Sequence, residues 1–91
     1  MTHELKLCKR FYDVLKSGAK TYEVRRNDRG FKVGDTLILR PVTDDESRTY
    51  ISNLRPLMAE ITYMLAENGW GIEEGYCVLA LRNVKEIKEL L

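Results

Sequence analysis

Turn-forming residues interrupt this chain so often that only short strands and small helices fit between them. Gly18, residues 27–30, Gly34-Asp35, residues 43–47, residues 53–56 around Pro56 and residues 67–75 with three glycines each break the apolar pattern. Between them lie segments of strand character: residues 3–8 (HELKLC), 19–26 (AKTYEVRR), 36–42 (TLILRPV), 57–65 (LMAEITYML) and 76–82 (YCVLALR), with a shorter one at 48–52. In residues 3–8, His3, Leu5 and Leu7 share one face. In residues 57–65, Leu57, Ala59, Ile61, Tyr63 and Leu65 do so, and this should be the longest strand. Residues 76–82 are almost continuously apolar and should be central. Pro41 helps to end the strand before the acidic loop.

Two segments read as helices. Residues 9–17 place Phe11, Val14 and Leu15 at helical spacing, and Gly18 follows where a left-handed residue ends a helix at little cost. Asn83 with Glu86 three positions later has the form of a capping box. It predicts a closing helix with Val84, Ile87, Leu90 and Leu91 as its apolar stripe. The fold expected is one domain over residues 1–91, α+β but mainly β. It is a small mixed barrel of five to six strands, with a short helix after strand 1 and a C-terminal helix.

Composition narrows the function classes. No apolar run approaches the ~20 residues of a membrane-spanning helix, and the amino terminus has no signal-peptide pattern. The expected location is the cytoplasm, with Cys8 and Cys77 as reduced thiols. One histidine and two distant cysteines make a poor zinc set, so neither metal nor other cofactor is expected. Net charge is only +1, which argues against a globally basic nucleic-acid binder. The distribution is uneven, however. Residues 1–40 hold ten Lys/Arg against five acids, and residues 41–91 hold five against nine. That asymmetry is able to give a neutral protein one positive face.

The densest positive stretch runs from Lys20 to Arg29, with four cationic side chains in ten residues (Lys20, Arg25, Arg26, Arg29). On a strand, Glu23 and Arg25 point the same way, so the carboxylate is placed to orient the guanidinium as a fork for phosphate or a base edge. Lys20 has the opposite parity and joins them only if the chain turns after Gly18, as a mobile charge at the mouth of the site. An exposed edge strand shielded by charge would have the same composition.

Gly18-x-Lys20-x-x-Glu23-x-Arg25 is similar to the G-x-K-x-x-E-x-R signature of the ASCH superfamily. Phe31-x-Val33-Gly34-Asp35-x-Leu37 resembles the strand opening that follows it there, and Gly75-Tyr76-x-Val78 resembles the closing strand. The resemblance covers roughly residues 3–82. It is nearest to a small single-domain branch, found in bacteria and their phages, to which no function is assigned. It implies a PUA-like barrel with a basic cleft beside the first helix, holding RNA or a nucleotide, single-stranded nucleic acid included. Carried onto this chain, it puts Lys20, Glu23 and Arg25 in that cleft, with Gly18 allowing the tight start of the strand and Gly34 and Asp35 as structural positions.

One branch of that superfamily resembles an amidohydrolase acting on acetylated cytidine and uses a lysine, a threonine three residues later and a separate glutamate. Here Glu23 stands where that threonine would be. Thr21 is the nearest hydroxyl, and Glu67, Glu73 and Glu74 lie in the long loop. A small hydrolase on a modified nucleoside is therefore the alternative, with Lys20 and Glu23 as the catalytic candidates. Aromatic partners for a base include Tyr12, Tyr22, Tyr63, Tyr76 and Trp70. Trp70 sits between two glycines in the long loop and so is a candidate ligand or lid residue. His3 reads as a surface residue at a strand end. A third reading is an interaction protein that uses the terminal helix or the acidic loop Asp44-Asp45-Glu46.

Overall fold

The computed structural model describes residues 1–67 and 69–88. β1 (Thr2–Cys8) passes through a 3-10 turn (Lys9–Phe11) into α1 (Tyr12–Ser17). β2 (Tyr22–Arg26), β3 (Thr36–Val42), β4 (Leu57–Leu65) and β5 (Tyr76–Glu86) follow. The strands form one sheet in the order β1-β3-β4-β5-β2. β1 runs parallel to β3, and the other pairs are antiparallel. The sheet curls into a half-barrel, so the protein is mainly β as expected. β1 and β2 are its two edges, and the chain crosses from one to the other through α1.

Alternation decides what faces inward. His3, Leu5 and Leu7 of β1 meet Leu37 and Leu39 of β3, then Leu57, Ala59 and Ile61 of β4, and all are buried. In β4 the expected face holds only to Ile61. Between Ile61 and Tyr63 the pairing with β5 shifts, because Thr62 is an extra residue on β4. A bulge flips the side-chain parity beyond it. Tyr63 is therefore exposed, and Met64 takes the core side.

A second shift lies opposite Met58 and Glu60, where β5 carries the extra residue. Asn83 sits there with φ +56. Asparagine tolerates the left-handed region better than other residues with a β-carbon. The same residue type favours helix N-caps, and this is why the sequence reads as a capping box. The expected closing helix does not begin at Asn83: β5 continues to Glu86, and the Ile87 amide bonds the Pro56 carbonyl. Leu90 and Leu91 lie outside the described residues. At 11 residues β5, not β4, is the longest strand. β5 is interior, and β4 is the middle strand.

The first helix is also rotated from its expected phase. Its opening turn is 3-10, with three residues per turn, so the buried stripe falls on Tyr12 and Leu15 while Val14 is exposed. The Tyr12 hydroxyl donates to the Arg55 carbonyl at 2.7 Å. Gly18 ends the helix at φ +87 as expected, its amide bonded to the Leu15 carbonyl. Lys16 pairs with Glu86, tying α1 to β5. The segment 48–52 is not a strand but a single bridge, Val42 to Tyr50, and β3 runs past Pro41 to Val42.

His3 is buried, contrary to the surface position expected of it. Its Nε2 lies 2.8 Å from Asp35 Oδ2, and its ring meets Phe31 edge-on at 4.8 Å. Asp35 also accepts from the terminal amine of Met1 and the Lys32 amide, and together these clasp the start of β1 to the start of β3. The hydrogen bond with His3, above all, holds the Asp35 carboxyl down at about 2. The turn before it uses Gly34 at φ +95, with its amide donating to the Ile61 carbonyl. Cys8 and Cys77 are free thiols.

Candidate nucleic-acid interface

The half-barrel leaves a seam where the edges β1 and β2 approach. No backbone ladder closes it. Instead, Arg25 Nη2 donates to the Lys6 carbonyl at 2.7 Å, and Arg29 Nη1 donates to the Glu4 carbonyl at 3.0 Å. These carbonyls lie on β1, whose strand neighbour on the other side is β3. Two arginines thus occupy acceptors that a further strand would otherwise take.

Register sets which side chains of β2 reach the seam. Glu23 pairs with Leu79 and Arg25 with Cys77, both buried, so Glu23 and Arg25 point to the concave side. Tyr22, Val24 and Arg26 point outward. Glu23 and Arg25 thus turn inward rather than shielding the strand from solvent, while Arg26 stays on the exposed face. Glu23 is only 4% exposed. Lys20 Nζ lies 2.5 Å from its Oε1, and Arg25 Nε donates to its Oε2 at 3.0 Å. One buried carboxylate is therefore held between two cations, which a buried charge requires.

Lys20 reaches this site because it precedes β2, where strand parity does not apply. It is not a mobile charge. Its side chain is 14% exposed, it donates to the Tyr22 carbonyl at 2.6 Å, and it lies 4.7 Å from the ring centres of both Phe11 and Tyr22.

Two adjoining recesses open on the seam. The larger, about 340 Å³, is lined by Glu4, Lys6, Arg25, Arg29, Arg40, Arg48 and Tyr50 with Leu5. The smaller, about 180 Å³, lies between Phe11 of the turn before α1 and Glu23, Val24 and Arg25 of β2. Lys6, Arg25 and Arg48 border both. Five cationic side chains and two carboxylates line the pair, a markedly positive surface on a nearly neutral protein.

The cations differ in what they already hold. Arg25 is paired with Glu23, Arg40 with Glu4, and Arg29 with the Glu4 carbonyl and, at 3.9 Å, with Asp28. Among the described residues Lys6 and Arg48 make no ion pair. Lys6 Nζ sits 5.4 Å from the Tyr50 ring centre.

Arg48 comes from the acidic hairpin loop and adopts φ +47. A residue with a β-carbon pays about 1–2 kcal/mol for that conformation, and a surrounding network must hold it. Asp45 supplies the network. Its carboxylate accepts from Thr43 Oγ1 at 2.8 Å and from the Ser47 amide at 3.1 Å, and its carbonyl accepts from the Arg48 amide at 3.2 Å. The Ser47 and Thr43 hydroxyls keep the Asp45 carboxyl below its usual value. Asp44 accepts from the Arg10 amide, which anchors the loop to the 3-10 turn.

Several expected residues lie elsewhere. Arg26 is on the outer face, its guanidinium 5.2 Å from the Tyr76 ring centre and bonded to that hydroxyl. Tyr12 is a core residue with its hydroxyl spent on Arg55. Trp70 is 69% exposed and borders neither recess, nor do Glu67, Glu73 and Glu74. Lys6 and Arg40 were open to inference from the parity of their strands. For Arg48 and Tyr50 no local signal exists, since the fold of the 43–52 loop brings them to the seam.

A family model described as a domain of unknown function (DUF3850) matches residues 2–81. An uncharacterized 12.9 kDa protein in the GpA 3′ region of Escherichia phage P2 is 46% identical over 37 residues, which make up 41% of this chain. The matched stretch spans 34% of the phage protein's length. The family match runs from the first residue of β1 to Leu81 within β5 and takes in every residue that lines the two recesses. The chain belongs to the family of the domain of unknown function DUF3850.

Proposed function

We propose that the protein is a PUA-like domain of the ASCH type that acts in the cytoplasm and binds RNA or a nucleotide through the basic seam beside the first helix. One observation carries this reading: Lys6 and Arg48 face the seam recess without a carboxylate partner among the described residues, while Arg25 and Arg40 beside them are paired. Unpaired cations converging on a concavity suit a phosphate, and the paired arginines hold the walls in place. Arg48 is held by the Asp45 turn, whose carbonyl accepts from the Arg48 amide, so its place at the seam is fixed by the closure of the loop.

Binding of a short fluorescent RNA, followed by anisotropy against salt, tests it. Affinity should fall steeply with salt. Arg48→Ala and Lys6→Ala should each weaken binding across sequences and reduce the slope of log K against log salt by about 1. Absence of binding to RNA, single-stranded DNA and nucleotides at low salt would overturn the reading.

The contact between Lys20 and Glu23 favours a second reading, a small hydrolase on a modified nucleoside, since an amine against a carboxylate is a proton-transfer pair. Acylated nucleosides offered to the parent and to Lys20→Ala decide it. Equal turnover, or none, removes Lys20 from any such chemistry.

A further inference from the structure

Next to the basic seam lies a recess of different chemistry. Arg40 and Tyr50 border both. Beyond them the wall continues over Pro41, Ile51, Leu54 and Pro56, with Ser52 its remaining polar member, around a hollow of about 460 Å³. The wall is braced from behind. The Ile51 amide bonds the Pro41 carbonyl at 3.0 Å, Tyr50 bridges to Val42, and two prolines fix their own backbone.

Building on the proposed phosphate site, we infer that this shelf seats the base of a nucleotide unit whose phosphate lies in the seam. The inference rests on continuity and on complementary chemistry. A nucleotide joins a dianionic or monoanionic phosphate to a flat ring that gains by leaving water. Here cations with no carboxylate partner among the described residues adjoin an apolar wall, and Tyr50, 58% exposed, stands at the junction with Lys6 beside its ring. Together the two hollows fall in the size range of small-molecule sites, roughly 300–1,000 Å³. The shelf offers few groups to read base edges: Ser52 and the Arg40 guanidinium, and the latter is already engaged by Glu4. Binding through an apolar wall tolerates any base, because every base has a π-face. The seat therefore favours nucleotides over simpler phosphates without distinguishing strongly among bases.

The test compares ligands that share a phosphate and differ in the base. The unaltered protein is titrated with inorganic phosphate, ribose 5-phosphate and the four nucleoside monophosphates. A short RNA is used in parallel, intact and with one abasic position placed at each site in turn. The monophosphates should bind about tenfold tighter than ribose 5-phosphate and within a few-fold of one another, in keeping with the worth of stacking one base. Ile51→Ala, which borders only the shelf, should shrink that gap and leave the ribose 5-phosphate affinity unchanged.

If only the RNA binds, the unit is part of a strand, and one abasic position must then cost about tenfold; an RNA indifferent to every abasic position overturns the inference. Equal binding of ribose 5-phosphate and the monophosphates also overturns it, while leaving the seam as a phosphate site. No binding by any of these ligands removes the shelf and the seam together.

Discussion

Glu23 puts a carboxylate on the buried side of a sheet whose inward residues are mostly aliphatic. It is tolerated there because Lys20 and Arg25 each take one of its oxygens. Removing the carboxylate would leave two half-buried cations facing each other. Breaking a fully buried pair costs about 3–5 kcal/mol, and with solvent reaching Lys20 and Arg25 we expect about 2 kcal/mol for Glu23→Ala, read from urea denaturation. Loss of less than about 0.5 kcal/mol would mean that the triad is not a structural unit. The pairing of Glu23 with Arg25 was legible from strand parity alone. Lys20 was legible only through its spacing to the strand, since its reach depends on where β2 begins. Arg48 was not legible at all: its place follows from a hairpin loop folding back over β1, a long-range event that leaves no periodic trace.

At the level of elements, three local signals were read with the wrong partner, each for a physical reason. Asn83 satisfies two conformations, a helix cap and a left-handed bulge, and pairing with β4 selects the second. Asn83→Gly should be neutral or slightly stabilising, whereas Asn83→Ala should cost about 1 kcal/mol in chemical unfolding, because alanine resists positive φ. Equal stability of the two variants would remove the bulge from the account. Tyr63 was assigned inward because alternation gives no sign of the extra residue at Thr62. Val14 was assigned to the buried stripe because a 3-10 opening turn is invisible to a period of 3.6, whereas Phe11 and Leu15 do pack against the core. The segments themselves, with the leucine face of β1, followed from alternation and turn residues.

The clasp between β1 and β3 makes a separate prediction. Asp35 has a folded pKa of about 2, below the ordinary 3.8, so the unfolded chain binds more protons at this position in acid. Its contribution is complete above about pH 5 and is lost as pH falls toward 2. The difference in thermal midpoint between the parent and Asp35→Asn should therefore shrink over that range. A difference that stays constant from pH 6 to pH 2 would show that the carboxylate charge is not what holds the clasp.

For the whole molecule, the charge asymmetry of the sequence survives in part. Lys6, Arg25, Arg29 and Arg40 of the positive segment gather at the seam, and the acidic segment adds Arg48 to them. Strand count, the mainly β character and one positive concavity were thus within reach of the sequence, but the order of strands was not, since nothing local says that β1 lies beside β3. That order leaves β1 as an edge, and Arg25 and Arg29 fill two of its outward carbonyls. An uncapped, straight edge is a template for another chain. The paired substitution Arg25→Ala/Arg29→Ala should consequently let molecules join β1 to β1, seen as a sedimentation coefficient that climbs with concentration while the parent's stays flat. On that view the two guanidiniums also serve as stoppers that keep neighbouring copies from stitching themselves into a continuous ribbon.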